Sequence, residues 1–396
     1  MKNDLNLAIF FNLSPGGAKR VLYEQVKGLI KRHKIDIYTL SSANHDFCDL
    51  RTLSSNYYIY PGGDSLPPAM WNSSASVVSK RFPKSVLDIY TRLPEIHKKI
   101  AEDIDKKGYD ALLVHPDFYT QAPYILRYLK TPTLYYCHEI RREFYETIPR
   151  VAKRKTYYLT LPFRYPIKII DLQNISKASL ILVNSHFTQE SVQKYYHLSS
   201  RVNYPPIDFN LFKRDPNIQK ENIVLSVGGF NLLKGHDLTI KSIARIPENI
   251  RPKFILAGSG GEDKEYILRL AHEHKVDMTV ITNPSDKALV NWYNRAKVFI
   301  YSPHNEPFGL SPLESLSSGT PVVSVNEGGV TEILKYINMA HLVERNESDM
   351  STKIIQLLAK PIRFTDYIQS QRVLHQKINK SNSVKELESY IKSICL

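Results

Sequence analysis

Two glutamates, Glu306 and Glu314, have the side-chain type and spacing best suited to chemistry in this sequence. The apolar run at residues 298–301 predicts a buried strand before them, and residues 310–317 predict a helix that ends at Gly319. Glu306 is therefore expected in a strand-to-helix loop, which is where a parallel sheet binds its ligands. Glu314 is expected about one turn into the helix, on the side that can face the same ligand.

The loop between the two glutamates is suited to an anion. The amides near Gly309 and Leu310 are expected at the start of the helix, where they point toward a bound phosphate, and Phe308 belongs to the same loop. Two carboxylates around an anion site match a sugar nucleotide, which has hydroxyls at both ends and a diphosphate between them. The alternative interpretation is a surface helix with two solvated carboxylates.

The glutamate pair and the segments after it resemble a known signature. Gly-Thr-Pro-Val-Val at residues 319–323 and Gly-Gly-Val-Thr-Glu at residues 328–332 follow the pair. Together they resemble the signature of the family 4 retaining glycosyltransferases, most strongly over residues 222–345 and more weakly over most of the chain. The resemblance implies an α/β protein of GT-B architecture, in which two Rossmann-like domains face each other across a cleft. It also implies a C-terminal helix that crosses back to the N-terminal domain.

The resemblance also implies roles for two positions in the second domain. The family usually has an arginine after the first strand of this domain and a lysine a few residues later, which neutralise the departing diphosphate. This sequence has Lys234 at the lysine position but Gly229 where the arginine would stand. Gly229 is expected either to admit backbone amides to the phosphate or to be compensated by a basic residue elsewhere. The alternative for Lys234 is an ordinary surface lysine.

Glycines and histidines mark the N-terminal half. Gly16 and Gly17 follow the first predicted strand, where glycines let the backbone approach an anionic ligand, although such a pair is most often a simple turn. The Gly-x-Gly-x-x-Gly spacing is missing, which disfavours a nicotinamide enzyme. His138 follows the strand at residues 134–137, and the resemblance implies that it lies near the transferred sugar. His115 ends the preceding strand, and either histidine could instead be an ordinary core residue.

Composition excludes several classes of protein. The chain has 396 residues, 42% of them hydrophobic and 23% charged, which is typical of a globular protein long enough for two domains. Its three cysteines suggest neither a disulfide framework nor a zinc site. No run approaches the roughly 20 apolar residues that cross a bilayer, and the first apolar run predicts a strand rather than a signal peptide. The net charge of +14 suits nucleic acid, anionic lipid or an acidic glycan without choosing among them.

Strand-like runs alternate with helical patterns, which predicts parallel α/β layers. The predicted strands are at residues 7–11, 35–40, 57–60, 111–115, 134–137, 180–184, 223–227, 254–257, 279–282, 298–301 and 322–325. Pro205 and Pro206 make a rigid connection between the two series. We therefore predict an N-terminal acceptor-binding domain at 1–212, a nucleotide-sugar-binding domain at 213–380, and a C-terminal helix at 381–396 that packs back on the first domain.

The segment at residues 141–168 combines basic and aromatic side chains. It holds eight Lys and Arg residues, two Glu residues and six aromatic residues. This combination suits a membrane interface or an anionic acceptor, and a solvated basic face is the alternative.

The resemblance to the family 4 glycosyltransferases implies a retaining hexosyltransferase. It would move a mannose-type or glucose-type hexose from a nucleoside diphosphate sugar to a hydroxyl of a glycan or lipid-linked acceptor. No cofactor, metal or nucleic acid is expected, and the enzyme is expected to be cytoplasmic, with peripheral docking on the inner face of a membrane. A GT-B sugar-nucleotide epimerase and a basic binding protein without catalysis are the alternatives. The sequence leaves open the donor base (GDP or UDP), the acceptor and the oligomeric state.

Overall fold

The computed structural model describes residues 4–62, 87–149, 154–360 and 362–395, and these residues form two compact units. Of the described residues, the first unit contains 4–62, 87–147, 154–206 and 380–395. The second unit contains 148–149, 207–360 and 362–379. The division falls between Pro206 and Ile207, whereas the sequence placed it after Phe212.

The first unit is built on a seven-stranded sheet in the order β3-β2-β1-β4-β5-β6-β7. All its neighbouring strands pair in parallel. The strands are β1 (Asn6–Asn12), β2 (Lys34–Leu40), β3 (Asn56–Tyr60), β4 (Ala111–Asp117), β5 (Thr133–Cys137), β6 (Leu180–Val183) and β7 (Arg201–Val202). The central strands β1 and β4 are almost wholly buried, as their continuous apolar runs predict for a sheet covered on both faces.

Five helices of the first unit have both their bounds within the described residues. They are α1 (Gly17–Leu29), α2 (Arg92–Lys107), α3 (Arg154–Ile175), α4 (His186–Tyr196) and the C-terminal α12 (Lys380–Ile394). Helix α12 packs closely on α1: a Cβ atom at Gly28 would lie 2.6 Å from a methyl carbon of Val384. An ion pair between Lys380 and Glu24 joins the same two helices. The last helix of the chain therefore belongs to the N-terminal unit, as the fold class predicted.

The second unit repeats the arrangement with a six-stranded parallel sheet in the order β10-β9-β8-β11-β12-β13. Its strands are β8 (Glu221–Val227), β9 (Lys253–Gly258), β10 (Met278–Thr282), β11 (Ala296–Tyr301), β12 (Val322–Val325) and β13 (Ala340–Val343). Its helices are α5 (His236–Ala244), α6 (Lys264–Glu273), α7 (Asp286–Arg295), α8 (Ser311–Ser317), α9 (Thr331–Leu334), α10 (Glu347–Ala359) and α11 (Phe364–Lys377).

Both sheets have the doubly wound order, in which successive strands are added first toward one edge of the sheet and then toward the other. The reversal lies between β1 and β4 in the first unit and between β8 and β11 in the second. Ligands of such sheets bind at the carboxyl ends of the strands at this point. All eleven predicted strands are present, and β7 and β13 were missed because they are short and only partly buried. Within the described residues, no helix has the length and apolar character needed to span a membrane.

Candidate functional site

The predicted residues of the second unit meet at the carboxyl ends of β8 and β11. A 3-10 turn at Leu232–Lys234 follows β8, and the loop that carries Glu306 follows β11. The Lys234 Nζ atom donates a hydrogen bond to Glu306 Oε1 at 2.6 Å. The two side chains are 27% and 21% exposed, so the pair is reachable from solvent while being held by the fold. An ammonium and a carboxylate side by side suit a ligand that has both phosphate and hydroxyl groups.

Glycine at position 235 allows the turn after β8 to approach the loop after β11. Gly235 has a φ of +67°, and a Cβ atom there would lie 1.8 Å from the Ser302 carbonyl oxygen. The Ser302 hydroxyl donates to the Gly235 carbonyl at 2.8 Å, and the His304 amide donates to the Leu233 carbonyl at 2.8 Å. The two loops are therefore joined through their backbones, which places Lys234 beside Glu306.

The Gly-Gly pair of the predicted signature contacts the backbone of Glu306. The Gly329 amide donates to the Glu306 carbonyl at 2.9 Å. Gly328 has a φ of +77°, and a Cβ atom there would lie 2.4 Å from the same carbonyl oxygen. This motif is thus explained by a close approach of two backbones, which any larger residue at position 328 would obstruct.

The helix predicted to carry Glu314 is observed as α8. The Ser311 hydroxyl donates to the Val227 carbonyl at 3.4 Å, which ties the start of α8 to the end of β8. Gly309 has a φ of +94°, and a Cβ atom there would lie 2.0 Å from the Tyr301 hydroxyl oxygen. Phe308 is buried beneath this turn, and Leu310 is the residue that precedes the first turn of α8.

Glu314 is buried, and its partner is different from that of Glu306. The Tyr293 hydroxyl donates to Glu314 Oε2 at 2.8 Å, and Tyr293 itself packs edge-on against Phe212. The two glutamates therefore belong to different local networks, with Glu306 held by a cation and Glu314 by a phenol. Their assignment to a bound ligand stays a prediction.

The backbone of Gly229 is held by a hydrogen bond from a neighbouring side chain. The His236 Nε2 atom is 3.0 Å from the Gly229 carbonyl oxygen, to which it donates. Burial lowers the pKa of His236 to about 4, so the ring is neutral at physiological pH. A Cβ atom at Gly229 would lie 3.2 Å from the Asn231 side-chain amide and 3.5 Å from the Gly260 carbonyl oxygen, so a larger residue requires a small shift of the Asn231 side chain.

Sequence reasoning missed Arg345, which follows β13. Its guanidinium donates to both carboxylate oxygens of Glu327, at 2.7 and 2.8 Å, and to the carbonyls of Ser302 and Pro303, at 3.0 and 2.5 Å. Burial opposes ionisation of Glu327, but the hydrogen bonds and charge of Arg345 leave the pKa of Glu327 below its usual value. Arg345 thus clamps the loops on both sides of Glu306. No local pattern marks this residue, because its partners come from distant loops.

In the first unit, Gly16 and Gly17 lie where β1 gives way to α1. Gly16 has a φ of +153° and caps α1, whose first residue is Gly17. A Cβ atom at Gly16 would meet nothing within 4 Å, so the backbone conformation, rather than packing, favours glycine there.

The structure brings His138 and His115 together at the ends of β5 and β4. The His115 Nδ1 and His138 Nε2 atoms are 3.1 Å apart, and the Asn184 side chain donates to the His138 carbonyl at 2.8 Å. Burial lowers the pKa of His138 to about 3 and the pKa of His115 well below 6.5. Both rings are therefore neutral at physiological pH, and the contact of His138 with a bound sugar stays a prediction.

The basic segment at residues 141–168 is less exposed than its composition suggested. Arg141 and Arg164 both pair with Glu143, Arg142 pairs with Glu146, and all three arginines are buried. Residues 150–153 lie outside the described part of the chain, as do the side chains at positions 154–157. A uniformly solvated basic face is therefore wrong for this segment, because three of its charges are neutralised inside the unit.

Two sequence families match this chain. The family described as Glycosyltransferase Family 4 matches residues 15–211, and the family described as Glycosyl transferases group 1 matches residues 208–373. The alpha-1,3/1,6-mannosyltransferase ALG2 of Rhizomucor pusillus is 26% identical over an alignment of length 383, gaps included, which covers 84% of this chain and 79% of that protein.

Solved structures share the same architecture. Sucrose-phosphate synthase from Thermosynechococcus elongatus has a TM-score of 0.72 at 16% identity and covers 99% of both chains. Anabaena Alr3699/HepE in complex with UDP and glucose has a TM-score of 0.68 at 15% identity, with 98% of this chain and 100% of that chain covered. At these identities the likeness concerns the fold alone, and it confirms the predicted GT-B class. The family matches favour a glycosyltransferase over an epimerase or a basic binding protein.

The Arg345 clamp generates a prediction about turnover. The variant Arg345→Met loses the hydrogen bonds to both loops, so the Glu306 loop is no longer held in position. The kcat value should therefore fall roughly 10- to 100-fold. Free nucleotide affinity should change less than threefold or so, because the Lys234 turn remains. Arg363→Met is the matched control, since Arg363 pairs with Asp366 at the surface of α11. Steady-state kinetics and nucleotide titration measure both quantities, and wild-type kcat in Arg345→Met would contradict the clamp.

Buried histidines generate a prediction about acid stability. Burial lowers the pKa of His97 to about 3, against 6.5 in the unfolded chain, so the unfolded state binds more protons below pH 6.5. The folded state therefore loses stability as the pH falls. Between pH 7 and pH 5, wild type should lose about 2 kcal/mol more unfolding free energy than His97→Phe. Denaturant titrations measure this difference, and the two proteins should respond alike between pH 7 and pH 9. An equal loss in both proteins on acidification would show that His97 is not neutral when folded.

Proposed function

This chain belongs to the family 4 glycosyltransferases, and we propose that it transfers a mannose-type hexose from a nucleoside diphosphate sugar to a hydroxyl of a lipid-linked glycan. The family and the hexosyltransferase activity are confirmed predictions from the sequence. The choice of mannose is supported by the mannosyltransferase of Rhizomucor pusillus, most of whose length this chain matches. The structural observation that carries the proposal is the contact between Lys234 and Glu306 at the ends of β8 and β11.

Lys234 is proposed to bind the diphosphate. Its ammonium has three donors, so it can keep its hydrogen bond to Glu306 while donating to phosphate oxygens. Negative charge builds on the leaving nucleotide as the bond to the sugar breaks, and a cation at this point stabilises the transition state. The amides near Gly309 and Leu310, together with Gly229, are proposed as further diphosphate contacts, with Phe308 supporting their loop.

The two glutamates are proposed to bind opposite ends of the donor. Glu306 accepts hydrogen bonds from hydroxyls of the transferred sugar, and the hydrogen bond from Lys234 orients its carboxylate. Glu314 accepts hydrogen bonds from the ribose, with Tyr293 holding one of its carboxylate oxygens. The arrangement separates recognition of the nucleotide from recognition of the sugar.

The first unit is proposed to select the acceptor. His138 is neutral because burial lowers its pKa, so it suits a hydrogen bond to a sugar hydroxyl. Gly16 and Gly17 are proposed to let the backbone approach the donor. In the proposed retaining step, the acceptor oxygen bonds to the anomeric carbon on the face from which the nucleotide leaves. The bond from that carbon to the phosphate oxygen breaks, and the acceptor proton passes to the β-phosphate. This step requires no side-chain nucleophile, and we propose that it requires no metal.

We place the enzyme at the cytoplasmic face of a membrane as a peripheral protein. A lipid-linked acceptor is confined to a membrane, and the net charge of +14 favours an anionic surface. Residues 1–212 carry most of this excess, with 29 Lys and Arg residues against 19 Asp and Glu residues.

The two glutamates test the proposal. Wild type should transfer hexose to a lipid-linked glycan when offered GDP-mannose, with UDP-glucose as the comparison donor. Glu314→Ala should weaken binding of donor and free nucleotide alike, because its proposed partner is the ribose. Glu306→Ala should spare free nucleotide and lose turnover, because its proposed partner is the sugar. Calorimetric titration and a transfer assay separate these effects, and the exposed Glu347 provides the control variant Glu347→Ala. Unchanged nucleotide affinity in Glu314→Ala would contradict the ribose assignment, and donor consumption without transfer would contradict the reaction.

Lys234 generates a second prediction. Lys234→Ala should cost about 2–4 kcal/mol of transition-state stabilisation, which lowers kcat/KM roughly 30- to 1,000-fold. Lys335→Ala removes an exposed lysine of the same unit and is the control. Because the tightest contact of a Cβ atom at position 229 would be with the Asn231 side chain rather than with backbone, Gly229→Arg combined with Lys234→Ala should restore part of the lost rate. Turnover within about threefold of wild type in Lys234→Ala would assign the diphosphate to another group.

A further inference from the structure

Lys19 is a fully buried lysine whose ammonium lacks a hydrogen-bond acceptor among the described residues. It is the third residue of α1 and is 0% exposed. Its Nζ atom lies 3.6 Å from the centre of the Phe11 ring, whose face can accept one of the three N–H groups of an ammonium. The remaining donors of this buried charge are unmatched, which costs free energy that a bound anion would recover.

The Lys19 side chain extends toward the carboxyl end of the first sheet. In an α-helix each Cα–Cβ bond is tilted toward the N-terminus, so a side chain at the third position extends toward the turn before the helix. Phe11 is the last but one residue of β1, so the ammonium over its ring lies at the carboxyl end of that strand. This end of β1 borders β4, at the point where doubly wound sheets bind their ligands.

His115 has a second unmatched nitrogen on the same face of the sheet. Phe10 and Val114 are register partners on β1 and β4, so the residues that follow them, Phe11 and His115, share the opposite face. The His115 Nδ1 atom is 3.1 Å from His138 Nε2, whereas His115 Nε2 has no partner among the described residues. A neutral ring that accepts at Nδ1 carries its proton on Nε2, so His115 can donate to an anion there.

The acidic groups around Lys19 do not neutralise it. Burial lowers the pKa of Lys19 to about 8, although the charges of Cys48 and Asp49 raise it. Both carboxylate oxygens of Asp49 accept hydrogen bonds from the Arg51 guanidinium at 2.9 Å, so Asp49 is already paired. With a pKa of about 8 the Lys19 amine is mostly protonated at pH 7, and its charge is available to a ligand.

The start of α1 is open to a ligand. A Cβ atom at Gly16 would meet nothing within 4 Å, and Gly17 is exposed. The amides of Gly17 and Ala18 donate to none of the residues that the structure describes, and the first amides of a helix attract phosphate. The flexible four-carbon stem of Lys19 lets its ammonium turn from the Phe11 ring toward this opening.

We propose that Lys19, with His115 and the first amides of α1, binds a phosphate group of a substrate in the first unit. A lysine is a compact point charge that suits phosphate, whereas a carboxylate is better matched by the planar fork of an arginine. The proposal rests on the proposed function, because a substrate of that reaction supplies the phosphate. The phosphate belongs either to the nucleoside diphosphate or to a phosphate that joins the acceptor glycan to its lipid.

The experiment measures the binding of inorganic pyrophosphate by calorimetric titration of the Lys234→Ala protein, which lacks the cation proposed for the second unit. Adding Lys19→Met removes the ammonium and should weaken pyrophosphate binding at least about tenfold. Adding Lys27→Met instead changes a lysine of the same helix whose side chain is 42% exposed, and it should leave the affinity unchanged. Equal affinity in these two double variants would overturn the proposal, as would a Lys234→Ala protein that binds no pyrophosphate.

Denaturant titrations separate a lost binding site from a folding defect. Lys19→Met removes a buried charge that lacks an acceptor, so it should unfold at a denaturant concentration no lower than that of wild type. Lys19→Gln keeps a polar side chain and should lose pyrophosphate affinity to the same extent, so the test does not depend on one variant. Wild-type pyrophosphate affinity in folded Lys19→Gln would overturn the proposal.

Two further measurements on Lys19→Met identify the substrate that supplies the phosphate. If the acceptor supplies it, KM should rise at least about tenfold for a phosphate-linked glycan but not for a glycan that lacks the phosphate, and free nucleotide should bind as in wild type. If the nucleotide supplies it, the Kd of free nucleotide should rise by that factor and both acceptors should keep their KM. Pyrophosphate binding that requires Lys19 in a protein without transferase activity would support this site and overturn the proposed function alone.

Discussion

The close approach of Gly235 to the Ser302 carbonyl is the constraint on which the candidate site of the second unit depends. It joins the turn after β8 to the loop after β11, with no space for a Cβ atom between them. Lys234 and Glu306 are neighbours because their backbones are held in this way, and the ion pair follows from that approach. Gly328 adds a similar constraint on the other side of Glu306. The missing Cβ atoms of these glycines therefore let the loops approach and so determine where the charged groups lie.

The predicted pair Lys234 and Glu306 is charged and partly exposed in the second unit, whereas His115 and His138 are neutral and buried in the first. The second unit keeps its ion pair partly exposed, so the charges of Lys234 and Glu306 remain accessible to a ligand. The first unit buries His115 and His138, and burial lowers the pKa of each so that the rings are neutral. A neutral histidine recognises hydroxyl groups, while an exposed lysine neutralises phosphate. This division agrees with a donor site in the second unit and an acceptor site in the first.

The segment at residues 141–168 shows that a basic composition does not by itself define a basic surface. Arg141, Arg142 and Arg164 are buried in ion pairs with Glu143 and Glu146. The sequence identified this segment as basic and aromatic, but the structure buries these three arginines and exposes Tyr158, Phe163 and Tyr165. Only the direction of each side chain decides whether such a segment meets water, lipid or the protein interior.

The sequence by itself determined the strand series, the doubly wound class and the glycine-rich signature. A strand that is buried on both faces of a parallel sheet needs a continuous apolar run, and a positive φ favours glycine. Both requirements act on neighbouring residues, so they can be predicted from the sequence. Tertiary structure alone decided that Glu314 binds Tyr293, that Arg345 clamps the loops around Glu306, and that Arg164 is buried against Glu143. These outcomes depend on partners far apart in the chain. A residue's type limits which partners it can accept, but the folded path of the backbone decides which of them it meets.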